Sequence, residues 1–247
     1  MRVMSFNVLC RDWAPRVQPV TDVIRAYTPD VFGLQEAHAD WMDAVCAAFP
    51  DYAYVGVGRN DGKREGEFSP VFYRKDRFSL LDSGSFWLSE TPDVPGKGWD
   101  AACIRICSWA KLEDKTNGKS FAAMNTHLDH RGPVAAENGM ALILSRAAQF
   151  GELPVLLTGD FNSFPDSAPY RRAISSGFSD ARDIAPVRDE MFTFHNFGDP
   201  DDNAYQKIID YIFLKNCKSV ESFRVLTDRP DGQLPSDHYP VFATVQL

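Results

Sequence analysis

A chain of 247 residues, with 44% hydrophobic and 24% charged residues, is ordinary for a soluble globular protein and long enough to bury a sizeable core. Its formal net charge of -8 argues against a chain built to coat nucleic acid nonspecifically, while leaving room for a locally basic or metal-lined cleft. The cysteines (Cys10, Cys46, Cys103, Cys107 and Cys217) are odd in number and show neither a CxxC pair nor a histidine partner at zinc-finger spacing.

The first residues, MRVMSFNVL, alternate like a strand and contain no signal-peptide core, and no later apolar run reaches the length of a transmembrane helix. A cytoplasmic monomer without a membrane partner is therefore expected. A strand is predicted over 2–9 and a helix over 17–27, ending before Pro29. VFGLQE is a short strand, and ADWMDAVCAAF an amphipathic helix with Trp41, Val45 and Ala48 on one side. Strands DYAYVGVG and SPVFYR flank the polar loop RNDGKREGE, and FSLLDSGSFWLS reads as a strand pair turning at Asp82–Gly84. CIRICSWAKLED and KSFAAMNTHLD form a hairpin around Lys115-Thr116-Asn117-Gly118, with Cys103 and Cys107 as buried reduced thiols. A helix covers 133–149, PVLLTGD is a buried strand, and SAPYRRAISSG is a short helix with Gly177 just past its end. MFTFH, KIIDYIFLK, SVESFRVLT and YPVFATVQL complete the chain as strands. Strands outnumber helices about two to one and interleave with them, which predicts two mixed sheets face to face with helices outside. With no internal repeat and no low-complexity linker, residues 1–247 are expected to form one domain.

Several familiar motifs fail. NGKS at 117–120 lacks the first glycine of a P-loop, since Glu113 stands there, and a strand follows it. There is no GxSxG elbow and no GxGxxG, and His127 and His130 lack the HExxH context of a zinc site. What survives is a set of strand ends that carry oxygen or imidazole groups: Asn7 in SFNVL, Glu36 after FGLQ, His127 in NTHLDH, Asp210 in IIDYIF, and Asp237 with His238 ahead of the last strand. In VLLTGDFN an apolar strand delivers Asp160 and Asn162 two residues apart, on one face of an extended chain, with Phe161 turned to the other. Singly, each has a structural reading: a bulge for Asn7, a helix cap for Glu36, a turn for Gly159–Asn162, a hydrogen-bonded core histidine. Asp210 is hardest to explain so, because a carboxylate between isoleucines and a tyrosine needs a partner.

SFNVL, LQE, GEFSPVFYR, NTHLDH, TGDFN, IDYIF and SDHYPV, in that order from residue 5 to residue 241, resemble the endonuclease/exonuclease/phosphatase superfamily, the deoxyribonuclease-I-like fold. The resemblance implies a four-layer αββα sandwich of two mixed β-sheets, with the site where the sheets open. It implies Asn7 and Glu36 as metal-binding positions, Glu36 as principal Mg²⁺ ligand (Mn²⁺ as an alternative ion), and Asp237 beside that metal. Asp160 and Asn162 match the pair that orients the attacking water and the scissile phosphate. His238 matches the histidine paired with a buried aspartate, here Asp210. His127 matches the second histidine, and Glu67 the glutamate that orients it. A hard cation suits a few carboxylates and water, and a histidine near neutral pKa beside a carboxylate suits proton transfer. His238 with Asp210 is the expected base, Asp160 being the alternative.

Loops set the substrate in such a fold. SFWLSETPDVPGKGWDAACIR (85–105) offers Trp99 to stack on a base or sugar, or else forms a surface loop pinned by aromatic packing. Arg105 is a candidate phosphate contact, or simply a charged residue at a strand end. Lys63 and Arg64 offer a positive rim near Glu67. Leu9, where the abasic-endonuclease branch has an aspartate, and the IDYIF form make the chain look more like bacterial relatives of the deadenylase and nocturnin-like branch. The expected activity is Mg²⁺-dependent hydrolysis of a phosphodiester or phosphomonoester by water. A sequence-nonspecific nuclease and an inactive phosphate-binding scaffold are the alternatives.

Overall fold

The computed structural model describes residues 1–198 and 206–247. In its first half β1 (Arg2–Asn7), α1 (Val17–Tyr27), β2 (Val31–Gln35), α2 (Ala39–Ala48), β3 (Tyr52–Val55), β4 (Val71–Arg74), β5 (Phe78–Trp87), β6 (Ile106–Asp114) and β7 (Lys119–His127) follow one another. α3 (Pro133–Ala147), β8 (Val155–Asp160), α4 (Ala168–Ser175), β9 (Ser179–Asp180), α5 (Ala181–Ile184), β10 (Val187–Arg188), β11 (Asp210–Lys215), β12 (Ser219–Val225) and β13 (Val241–Gln246) complete it. One seven-stranded sheet runs β10-β12-β13-β1-β2-β4-β3 and one six-stranded sheet runs β5-β6-β7-β8-β11-β9. β1 with β2 and β7 with β8 are parallel pairs, each bridged by a helical crossover.

Alternation along each strand sorts side chains into three apolar layers. Val3, Val31, Phe121, Leu156, Ile212 and Val241 fill the space between the sheets. Met4, Phe6, Phe32 and Leu34 face the other way, onto Val20, Ile24, Trp41 and Val45 of α1 and α2. Leu157, Phe161, Tyr211 and Phe213 pack outward on Met140, Ile143 and Tyr170 of α3 and α4. The expected four-layer αββα sandwich is thus present. No helix among the described residues is long and apolar enough to cross a membrane.

The middle layer changes character along its length. On the inward faces Val3 gives way to Ser5 and Asn7, Val31 to Gly33 and Gln35, Ala123 to Asn125 and His127, and Leu156 to Thr158 and Asp160. Gln35 Nε2 donates to Ser5 Oγ (3.1 Å) and Asn125 Oδ1 (2.7 Å), and Asn125 Nδ2 donates across the sheets to the Leu34 and Pro70 carbonyls (2.7 and 2.9 Å). This polar stratum separates the apolar core from the rim at which the candidate residues gather.

Two predicted elements differ. FSLLDSGSFW is one strand, not a pair, because residues on both sides of Asp82 pair with β6 and the irregularity is absorbed as a register shift between Leu80 and Asp82. MFTFH forms no regular strand. Phe194 makes single bridges to Lys207 and His238, so the segment is wedged between two elements instead of extending a sheet.

Candidate active site

A cleft of about 450 Å³ opens at the polar rim, lined by Glu36, Arg59, Glu67, Arg105, His127, His130, Asp160, Asn162, Asp237 and His238, with Phe164, Phe194 and Ile209 as its apolar margin. Glu36 follows β2 with φ +60°, and Asn162 lies two residues past Asp160 with φ +46°. Left-handed backbone is uncommon for a glutamate and here turns a strand end into a presented side chain.

Asp160 is the hub. Its Oδ1 accepts the Asn162 backbone N–H (2.9 Å), its Oδ2 accepts Asn7 Nδ2 (3.0 Å), and the same oxygen lies 3.3 Å from His127 Nε2 and 3.8 Å from His238 Nε2. Behind His238, Nδ1 meets Asp210 Oδ2 at 2.9 Å. The strand register explains this, since Asp210 of β11 stands opposite Asp160 of β8. Burial and then the Asp210 charge raise the pKa of Asp160. Burial opposes protonation of His238, but the Asp210 and Asp160 charges outweigh it and raise its pKa. His127 is held well below the ordinary imidazole value by burial, with Arg105 and Arg59 adding to it. As a neutral ring it accepts the Asn162 amide at Nε2 (2.9 Å), which places its proton on Nδ1.

That Nδ1 finds no hydrogen-bond partner among the described residues. Glu67 Oε2, expected to orient it, is 3.9 Å away because Arg59 takes that oxygen at 2.6 Å. Glu67 therefore faces His127 without bonding it, and burial raises its pKa.

Glu36 and Asp237 are two cleft carboxylates that could hold a cation. Burial pushes Glu36 up, but the Cys10 N–H (3.1 Å) and Asn7 Nδ2 (3.1 Å) outweigh it, so Glu36 stays ionised below its ordinary pKa. Asp237 is raised by burial, His238 opposing and the Glu36 charge adding to the rise. Two such carboxylates lining one cleft fit a hard dication that keeps waters as its other ligands. Asn7, expected as a ligand, turns its nitrogen to Glu36 and Asp160, bracing both carboxylates, while its oxygen accepts the Leu9 N–H (3.0 Å). Two other groups of potential ligands converge among the described residues, Asp160/Asp210/His238 and Cys103/Asp129/His130. In the first, Asp210 Oδ2 and His238 Nδ1 already bond one another and Asp160 holds Asn7 and Asn162. In the second, burial notwithstanding, the N–H groups of Gly132, Arg131 and Cys103 already hold Asp129, at about 2.

Trp99 is not in the cleft lining. Its N–H is drawn to the Glu90 carboxylate (3.2 Å), and the loop folds back so tightly that a Cβ on Gly98 would meet the Leu88 carbonyl at 2.4 Å. In the same segment the Trp87 indole donates to the Arg59 carbonyl (2.7 Å). Arg64 pairs with Asp43 on α2, and neither it nor Lys63 lines the cleft. Cys103 is half-buried in the cleft wall, and Cys107 is buried as expected. Arg105 does line the cleft, 5% exposed, with Nη2 on His130 Nδ1 (3.2 Å). Arg59 and Phe194 have no signal in the sequence, and His130 stands out there only as half of a zinc pair that fails; loop positions carry no periodic signal. Ser236, which ties the Asn7 carbonyl (2.7 Å) to Asp237 Oδ1 (3.2 Å), was visible only as part of SDHYPV.

The geometry has close counterparts. The chain is 38% identical to an endonuclease/exonuclease/phosphatase from Bacteroides vulgatus, with a TM-score of 0.94 and coverage of 100% of this chain and 98% of that one. It is 35% identical to a mannosyl-6-phosphatase from Bacteroides thetaiotaomicron, with a TM-score of 0.93 and both chains wholly covered. It is also 23% identical to Nocturnin of Drosophila melanogaster over 95% of its own length, spanning 42% of that protein. The model of the Endonuclease/Exonuclease/phosphatase family matches residues 4–238, and the chain belongs to that family of phosphate-ester hydrolases.

Proposed function

We propose that this protein is a Mg²⁺-dependent phosphoesterase that hydrolyses a small phosphate ester, of the sugar-phosphate class, by in-line attack of water. The observation that carries the reading is Asp160, held by Asn7 and Asn162 and facing both His127 and His238 in one cleft. Its likeness to a mannosyl-6-phosphatase over the whole of both chains supports the substrate class. Glu36 and Asp237 would hold the cation, which when bound supplies neutralisation of phosphoryl charge. Asp160, raised toward neutrality by burial and Asp210, is suited to take the proton of the attacking water. His238, kept protonated by Asp210 and Asp160, presents positive charge where the phosphoryl group accumulates negative charge. This arrangement favours Asp160 over His238 as the base. Asn162 fixes the ring of neutral His127 beside Asp160, and Arg105 contributes charge from the cleft wall.

The test is a panel of hexose 6-phosphates, dinucleotides, oligonucleotides and inositol phosphates, assayed with Mg²⁺ and with EDTA. Turnover is expected on the hexose phosphates. Glu36→Gln should lower it by about a thousandfold or more while leaving the melting temperature near wild type. Retained turnover at saturating Mg²⁺ would sink the assignment.

A further inference from the structure

We infer that Thr193, which does not line the cleft, is a positioning residue that sets the Asp210–His238 pair; the inference rests on the phosphoesterase reading above. β11 begins at Asp210, and its far neighbour β9 reaches only Phe213 and Leu214. Neither the Asp210 amide nor that of Ile209, just ahead of β11, is paired with β9. Thr193 Oγ1 accepts both, Ile209 N–H at 3.1 Å and Asp210 N–H at 3.2 Å, and lies 3.4 Å from the Lys207 carbonyl. A hydroxyl has two lone pairs and one hydrogen, so one side chain is fully used here. Thr193 is 0% exposed, so water cannot replace it.

The same residue reaches the other half of the pair. Its carbonyl accepts the Tyr239 N–H (2.7 Å), and the next residues continue the link. Phe194 bridges His238 and lays its ring 4.7 Å from the imidazole, while the His195 and Asn196 N–H groups both bond the Asp237 carbonyl (3.0 and 3.1 Å). Asp210 and His238 are thus referenced to one segment, Thr193–Asn196, of which Thr193 and His195 are buried, and not only to each other. Misplacing a catalytic group by about an ångström costs on the order of a hundredfold in rate. The hydroxyl is the part of that segment that touches Asp210's own backbone.

The experiment uses the full chain with Mg²⁺ and p-nitrophenyl phosphate. Thr193→Val keeps the shape and removes the acceptor; Thr193→Ser keeps the acceptor. The valine variant should lose about tenfold or more in kcat with KM changed less than about threefold, and the serine variant should stay within a few-fold of wild type. In an Asp210→Asn background the valine substitution should cost little further, because the group it positions is already gone. An equal loss in both backgrounds, or a serine variant as impaired as valine, overturns the inference. Thr193→Ala serves if the valine variant does not fold. A wild-type protein without phosphoesterase turnover would instead overturn the functional reading. The positioning role is then decided by the downfield proton resonance of the His238–Asp210 bond, which should persist with serine and shift or vanish with valine. A resonance unmoved by valine overturns the inference.

Discussion

At the scale of single residues, the site works by placing charges where burial makes them consequential. Asp210 and Asp160 face one another across β11 and β8, and His238 reaches both. Asp210 Oδ1 has no hydrogen-bond partner among the described residues, so its charge is spent on its neighbours. Asp210 helps to raise Asp160, after burial, and is the largest of the charges raising His238. The pH dependence follows. A base must be ionised, so kcat/KM should rise with pH through the pKa of Asp160, which lies above the ordinary carboxylate value. Asp210→Asn removes one of the causes of that rise, so the acid limb should move to lower pH. The same change deprives His238 of its charged partner and should lower the plateau by on the order of 10²-fold. The pH–rate profile of kcat/KM checks both, and a limb that stays in place or moves upward contradicts the charge assignment.

At the scale of elements, the sandwich exposes its reacting groups by ending strands, and the spacing between sheets is set by small inward residues. A Cβ on Gly33 would stand 2.4 Å from the Asn125 side chain and 2.5 Å from Thr158 Oγ1. Gly33→Ala should therefore force the polar stratum apart and cost about 1–3 kcal/mol, read as a drop in the urea midpoint. Much of this design is legible in the sequence, because strand alternation is a strict period of two. Phe161 turns outward onto Tyr211 and Phe213, as the extended-chain reading of TGDFN requires. Asn162 reaches the cleft differently from that reading, through left-handed backbone past the end of β8 and not by extending the strand. What escaped the sequence shares a cause. Arg59, which captures Glu67, and Thr193, which holds β11, sit in irregular segments, where no periodic pattern says which side chain a residue will meet. Trp99 shows the converse: an aromatic in a Pro- and Gly-rich loop reads equally as a ligand platform or a pinned surface loop, and here it lies outside the cleft lining with its backbone N–H on the Glu90 carboxylate.

At the scale of the whole molecule, charge decides which phosphate esters approach productively. The formal net charge is -8, and the exposed arginines described here are mostly paired: Arg64 with Asp43, Arg172 with Glu137, Arg188 with Glu190 and Arg224 with Asp189. Inside the cleft Arg59 is neutralised by Glu67. Such pairing partly offsets the positive charge that these arginines would offer a polynucleotide backbone, whose binding releases counterions and weakens steeply with salt. A small dianion needs only the buried charges of the cleft, which salt screens little, while its long-range repulsion from a negatively charged protein is screened away. Between roughly 20 and 200 mM salt, kcat/KM for a hexose 6-phosphate should thus stay level or rise by about twofold at most. A nuclease working through four or more phosphate contacts would instead show a log–log slope of about -3 or steeper. One slope is zero or slightly positive and the other steeply negative, so one salt series on the two substrates separates a sugar-phosphate esterase from a nuclease built on the same sandwich.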